Sequence, residues 1–272
     1  MYIKQNLHTH TTYADGRDTP EELIREAIAR GFDSLGFSEH ARVPYSSYPS
    51  QLTKEKAVRY QNEIGELKKT WEGRISLFCG LEDDFYADTE LDGYDYLIGS
   101  VHYLDCDGRV ATFDCGLEET GRYIDEYFGG DGLAYAKRYF ETVARLPEKA
   151  SYDILGHFDL IVKNNERGNF IDVTSKEYLT LGLEAIHALK GRIPFFEVNT
   201  GAIARGYRML PYPQAELCRE LLTCGFGAVI TSDCHDRRHL DCCFEEAREF
   251  LAAQGFSSRW VLTENGFVEV GL

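Results

Sequence analysis

Short apolar segments that run into a metal-competent side chain recur along this chain, and that recurrence restricts the folds open to it. Seven segments read as strands: 3–7, 34–37, 75–79, 96–98, 152–155, 194–198 and 228–231. Six of them end in His, Glu or Asp. In order, these are His8 with His10, His40, Glu82, His102, His157, and Asp233 with His235; Asp15 follows the first pair in its loop. The strand before Asn199 is the exception and ends in other polar residues. A barrel of parallel strands gathers its strand ends at one rim, so ligands distant in sequence would converge there.

Helical segments fill the intervals. Thr19-Pro20-Glu21-Glu22 opens the first: Thr19 can cap, Pro20 suits the first turn and Glu22 completes a capping box. Leu23, Ile24, Ala27 and Ile28 give it one apolar face, and Gly31 ends it. Further helices are predicted over 53–71, 117–128, 133–146, 175–189, 213–224 and 239–253, with residues 105–118 as an irregular insertion and a last strand at 260–262. Strand and helix alternate throughout, which predicts a parallel sheet with right-handed crossovers. No linker interrupts residues 1–272, so one domain is the simplest organisation.

Composition narrows the partners. The net charge is -16, and no Lys/Arg run offsets it, which argues against long nucleic acid and anionic membrane. Acidic excess does suit divalent cations. No stretch approaches the roughly 20 apolar residues of a membrane span, and the N-terminus has no signal-peptide core. None of the eight cysteines forms a Cys-x-x-Cys pair, which points to reduced thiols in the cytoplasm. Nothing in the sequence sets an oligomeric state.

The chemistry rests on spacing. His8 and His10, two apart, lie on one face of an extended strand and can meet one cation; Asp233 and His235 share that spacing. Cys234, between them, would then point away. Glu82 heads the run Glu82-Asp83-Asp84, and a carboxylate can bridge two ions where a neutral imidazole cannot. Six of the eight histidines sit at strand ends; His187 and His239 fall in or beside helices and read as surface residues.

In order, these motifs resemble those of the polymerase and histidinol phosphatase (PHP) superfamily. The resemblance runs through His8-Thr9-His10 with Ala14-Asp15-Gly16, Ser38-Glu39-His40, Gly80-Leu81-Glu82, Gly99-Ser100-Val101-His102, Gly156-His157, Glu197-Val198-Asn199-Thr200-Gly201 and Ser232-Asp233-Cys234-His235. The family often has Asp where Glu39 stands and a small residue in place of Cys234. Gly99 to Tyr103 with Phe113-Asp114, and Gly156 to Ile161, resemble the monofunctional histidinol-phosphate phosphatases. The resemblance implies a distorted (β/α)7 TIM-like barrel carrying up to three divalent ions. One would take His8, His10, Glu82 and Asp233; a second Glu82, His102 and His157; a third Asp15, His40 and His235. Zn, Mn and Fe all accept such N/O ligands.

The implied reaction is hydrolysis of L-histidinol phosphate, a small phosphomonoester, by metal-activated hydroxide, with Glu82, Asp233, His235 and His10 as the catalytic set. His235, His10 or a bound water could protonate the leaving alcohol. Arg205, beyond the strand without a ligand, is predicted to bind phosphate, with Lys163 and Arg167 as further candidates. Asp83, Asp84 or Asp114 could meet the substrate amine. Two alternatives stand beside this: a PHP phosphoesterase for another small phosphate or short oligonucleotide, and a metal-binding domain without turnover.

Overall fold

The computed structural model describes residues 3–46 and 51–272. Seven strands form one sheet: β1 (Gln5–Asn6), β2 (Ser34–His40), β3 (Ser76–Asp84), β4 (Tyr96–Ser100), β5 (Ile154–Leu155), β6 (Phe195–Asn199) and β7 (Gly227–Thr231). They lie side by side in chain order, and every pairing is parallel. The first and last strands meet just beyond their ends. There Thr9 pairs with Cys234, the His10 N–H donates to Cys234 O at 2.8 Å and the Cys234 N–H to His8 O at 3.0 Å. This contact nearly closes the sheet into the expected (β/α)7 barrel.

Helices follow the strands for the reasons read from the sequence. In the helix Pro20–Ala29, Thr19 and Glu22 form the capping box, Leu23, Ile24 and Ala27 are buried, and Gly31 lies beyond at φ 73°. Inside the barrel, Leu7, Phe78, Tyr96, Ile98, Ile154 and Val229 pack with Leu262 from the C-terminal hairpin. Each such residue contributes roughly 1.5–3 kcal/mol by leaving water. The Tyr96 ring needs a gap in the wall: a Cβ at Gly80 would lie 2.3 Å from it. Its hydroxyl donates to Leu7 O at 2.5 Å and Phe37 O at 3.0 Å, which ties three strands together below the rim.

Three expectations change. Residues 105–118 are not irregular: Tyr103–Cys106 and Arg109–Thr112 form an antiparallel hairpin, and the helix Leu117–Phe128 follows. Asp107-Gly108 makes the turn, both at positive φ, as a two-residue Asp-Gly hairpin requires. The last strand is also half of a hairpin, Ser258–Thr263 with Gly266–Gly271, whose second strand is mostly exposed. The final long helix spans Phe244–Ala253, because Cys243 at φ 57° separates it from the 3₁₀ turn Arg237–His239. Among the described residues, no helix is long and apolar enough to cross a membrane.

Candidate metal centre

All nine predicted ligands gather at the C-terminal rim, and pairing register explains how. Thr9 and Cys234 stand opposite each other on neighbouring strands, so the residues flanking each face the same way. His8, His10, Asp233 and His235 therefore converge. Thr9 Oγ1 turns outward to Gly36 O at 2.7 Å and Cys234 Sγ to Asp236 O at 3.1 Å. Asp233 adopts φ 45°, a left-handed conformation that Asp tolerates better than most residues. Asp15 returns to the site because its loop folds back on His10; a Cβ at Gly16 would lie 2.2 Å from His10 O.

Glu82, 1% exposed, stands at the centre. Its Oε1 lies 2.9 Å from His157 Nε2 and 3.3 Å from His102 Nε2. Its Oε2 lies 2.8 Å from His40 Nδ1, 3.2 Å from His8 Nε2 and 3.5 Å from His10 Nε2. Asp233 Oδ1 lies 3.3 Å from His10 Nε2 and 3.6 Å from His8 Nε2. The third expected set also assembles: Asp15 is 3.3 Å from His235 Nε2 and 3.7 Å from His40 Nε2. His10 belongs to two groups, since its ring stacks on His235 with centroids 4.2 Å apart and lies 4.3 Å from His40.

Such a cluster is costly unless cations neutralise it. Burial, aided by His235 and His40, pushes the His10 imidazole down to about 3. Burial opposes charge on the others as well, but their neighbours outweigh it. Glu82 and Asp15 lift His40 to about 9; Glu197, Glu82 and Asp233 hold His8 well above its ordinary value. Glu82 and Asp233 sit well below the usual carboxylate range, Glu82 through His8 and His40, Asp233 through Arg205 and His8. Among the described residues, His8 Nε2 and both His10 ring nitrogens are buried without a hydrogen-bond partner although they face carboxylates. Unpaired imidazole nitrogens aimed at carboxylate oxygens fit divalent ions with mixed N/O ligation.

A cavity of about 380 Å³ opens above this floor, within the range of small-molecule sites. Lys163 and Arg205 line it. Lys163 Nζ pairs with Asp114 at 2.5 Å, while Arg205 donates to Asp233 Oδ2 at 2.8 Å and Asp233 O at 3.0 Å. Arg167 is exposed and outside the lining; its guanidinium donates to Gly206 O at 2.5 Å and braces that loop. Asp84 and Asp114 reach the cavity, but Asp83 faces out of the barrel to Lys149 and Tyr152. Successive strand residues alternate sides, so Glu82 and Asp84 cannot share a face with Asp83. Tyr103, Thr112, Gln51 and Val43 complete the outer wall; the first two lie on the hairpin that the sequence reading missed. His187 and His239 lie outside the cavity, with His187 paired to Glu220 at 2.6 Å.

Sequence reasoning placed Glu197 in a family motif but gave it no role. Its side chain has no exposed surface and touches two candidate ligands, with His8 Nδ1 at 2.8 Å and the His157 N–H at 2.6 Å. The available signal was a carboxylate on the one strand lacking a ligand.

Comparison with known proteins agrees with this architecture. A probable histidinol-phosphatase of Schizosaccharomyces pombe is 24% identical over 280 residues, covering 95% of this chain and 88% of that protein. The histidinol-phosphatase of Bacillus subtilis is 35% identical over 154 residues, 50% of this chain and 57% of that protein. The crystal structure of histidinol phosphate phosphatase from Lactococcus lactis, in complex with zinc, L-histidinol and phosphate, superposes with a TM-score of 0.69. That match is at 18% identity and covers 97% of this chain and 98% of the other, so it speaks to the fold. The PHP domain profile matches residues 6–201, from β1 to just past β6, and with this match the chain belongs to the PHP domain family.

Proposed function

We propose that this chain is a metal-dependent phosphatase that hydrolyses L-histidinol phosphate to L-histidinol and phosphate. The observation that carries the reading is Glu82, placed between two imidazole groups at the floor of a cavity whose wall bears Arg17, Lys163 and Arg205. The relatives' names supply the substrate. We extend the reading to residues 1–272 as one PHP unit, because β7 and its Asp233 and His235 lie beyond the matched stretch and complete the same site.

His8, His10, Glu82 and Asp233 would hold one divalent ion, Glu82, His102 and His157 a second, and Asp15, His40 and His235 a third. When bound, such ions acidify water for attack at phosphorus and offset charge on the phosphoryl oxygens. The chain's own groups do the rest. Arg205, held by Asp233, and Lys163, held by Asp114, present N–H donors to phosphate oxygens. Arg167 is left out, since it faces solvent beside Gly206. His235 is partly exposed to the cavity and could pass a proton to the leaving oxygen only while its Nε2 does not hold the third ion; His10, with no exposed surface, is confined to holding an ion. Asp84 and Asp114 are the carboxylates in reach of an amine. The eight unpaired thiols support a reducing, cytoplasmic setting.

The test is phosphate release from L-histidinol phosphate by protein purified without chelator, beside p-nitrophenyl phosphate and a nucleoside monophosphate. A preference of about 100-fold in kcat/KM, roughly 2.7 kcal/mol, is expected for histidinol phosphate. Comparable rates on the others would replace the substrate assignment with a broader small-phosphate esterase. Metal binding without turnover on any of them would overturn the enzymatic reading.

A further inference from the structure

β6 is the strand that ends without a candidate ligand, yet its Glu197 carries the most heavily bonded carboxylate beneath the site. Four donors converge on it. Oε2 accepts from His8 Nδ1 at 2.8 Å and from Thr231 Oγ1 at 2.7 Å. Oε1 accepts from the His157 backbone N–H at 2.6 Å and from Asn199 Nδ2 at 2.9 Å. The direction of the Asn199 bond is fixed, because its Oδ1 accepts from the Gly201 N–H at 2.8 Å. An ionised carboxylate is acceptor-only and can satisfy all four. A neutral amide cannot.

We propose that Glu197 is a positioning residue that fixes the tautomer and ring plane of His8, and the backbone carrying His157, so that His8 Nε2 presents its lone pair toward Glu82 and Asp233. This rests on the reading of His8 and His157 as metal-holding residues and is independent of which phosphoester is the substrate. His8 has one ring nitrogen on each side. In the neutral imidazole that holds an ion, with Nδ1–H committed to Glu197, Nε2 must be the unprotonated nitrogen, and it is the atom 3.2 Å from Glu82. Metal-binding histidines commonly use such a carboxylate on the far nitrogen. Here one carboxylate serves two of them, one through its ring and one through its main chain.

The hydrogen-bond directions make Glu197→Gln a sharp perturbation. The amide oxygen must occupy the Oε1 position, because the His157 N–H and the Asn199 amide can only donate there. The amide nitrogen then faces His8 Nδ1 and the Thr231 hydroxyl. Thr231 can rotate to accept. His8 can accept only by moving its proton to Nε2, where it points into the metal site. The substitution keeps the shape of the side chain and inverts the imidazole.

The experiment measures zinc affinity by competition with a chromogenic chelator, together with the Tm of the metal-free proteins. For Glu197→Gln we expect the affinity of one zinc equivalent to fall about 10- to 100-fold, with a cooperative melt close to that of wild type. Unchanged affinity for every equivalent would overturn the proposal. If the variant does not fold, ¹⁵N-histidine NMR of the zinc-loaded wild type decides. His8 should carry its proton on Nδ1, and a proton on Nε2 would overturn the assignment. Neither readout involves turnover, so failure to hydrolyse histidinol phosphate would remove the substrate reading and leave this one standing.

Discussion

Glu82→Gln isolates the charge at the centre of the site from its shape. The amide keeps the volume of the side chain and one carbonyl dipole, and it loses the negative charge. Glu82 lies between 2.8 and 3.5 Å from nitrogens of five imidazoles at four strand ends: His157 and His102 on one oxygen, His40, His8 and His10 on the other. A unit charge about 3 Å from a unit positive group interacts by about 5 kcal/mol at an effective dielectric constant near 20. If the amide dipole retains about half of one or two such interactions, the loss is about 3–5 kcal/mol. That corresponds to a fall of about 10²- to 10⁴-fold in kcat/KM. The assay is phosphate release under saturating metal, with metal content by elemental analysis and folding by circular dichroism. A variant with a full metal complement and kcat/KM within about tenfold of wild type would refute the bridging role.

Three further outcomes follow from particular contacts. Burial lifts the Glu39 carboxyl to about 7, while its Oε1 accepts from the Thr11 N–H and hydroxyl; its unfolded value is 4.5. A carboxyl raised in the fold contributes stability that is fully present below pH 4.5 and lost as pH rises through 7. Glu39→Gln should therefore match wild type near pH 4 and exceed it by about 3 kcal/mol at pH 8 in urea unfolding of the metal-free proteins; a difference independent of pH would contradict this. Arg205→Ala removes a charged hydrogen bond to Asp233 as well as a cavity cation. It should raise KM, lower metal retention and reduce kcat/KM by about 10- to 100-fold, the equivalent of 1.5–3 kcal/mol, whereas unchanged KM with full metal would take Arg205 out of the site. Cys234→Ser should leave metal content unchanged, since the thiol bonds to Asp236 O away from the cavity; loss of one equivalent would show that it turns inward.

The barrel and the membership of its rim were legible in the sequence. Parallel strands fed by helices must end at one rim, so the positions of His8, His40, Glu82, His102, His157 and Asp233 along the chain already implied their convergence. The Thr19 capping box and the outward turn of Cys234 were equally local, set by hydrogen-bond reach and by alternation along an extended strand. The Tyr103–Thr112 hairpin was missed although Asp107-Gly108 announced its turn, because two four-residue strands are too short for an apolar period to read.

What the sequence determined by itself was which side chains reach the rim, because strand period and strand order are properties of the chain. What only the tertiary structure decided was how they divide the work. The face of Glu82 that each imidazole meets, the engagement of Arg205 by Asp233, the exclusion of Arg167 and Asp83 and the anchoring of His8 by Glu197 depend on pairing register between distant strands. A shift of one residue in that register would turn every one of these side chains to the opposite face.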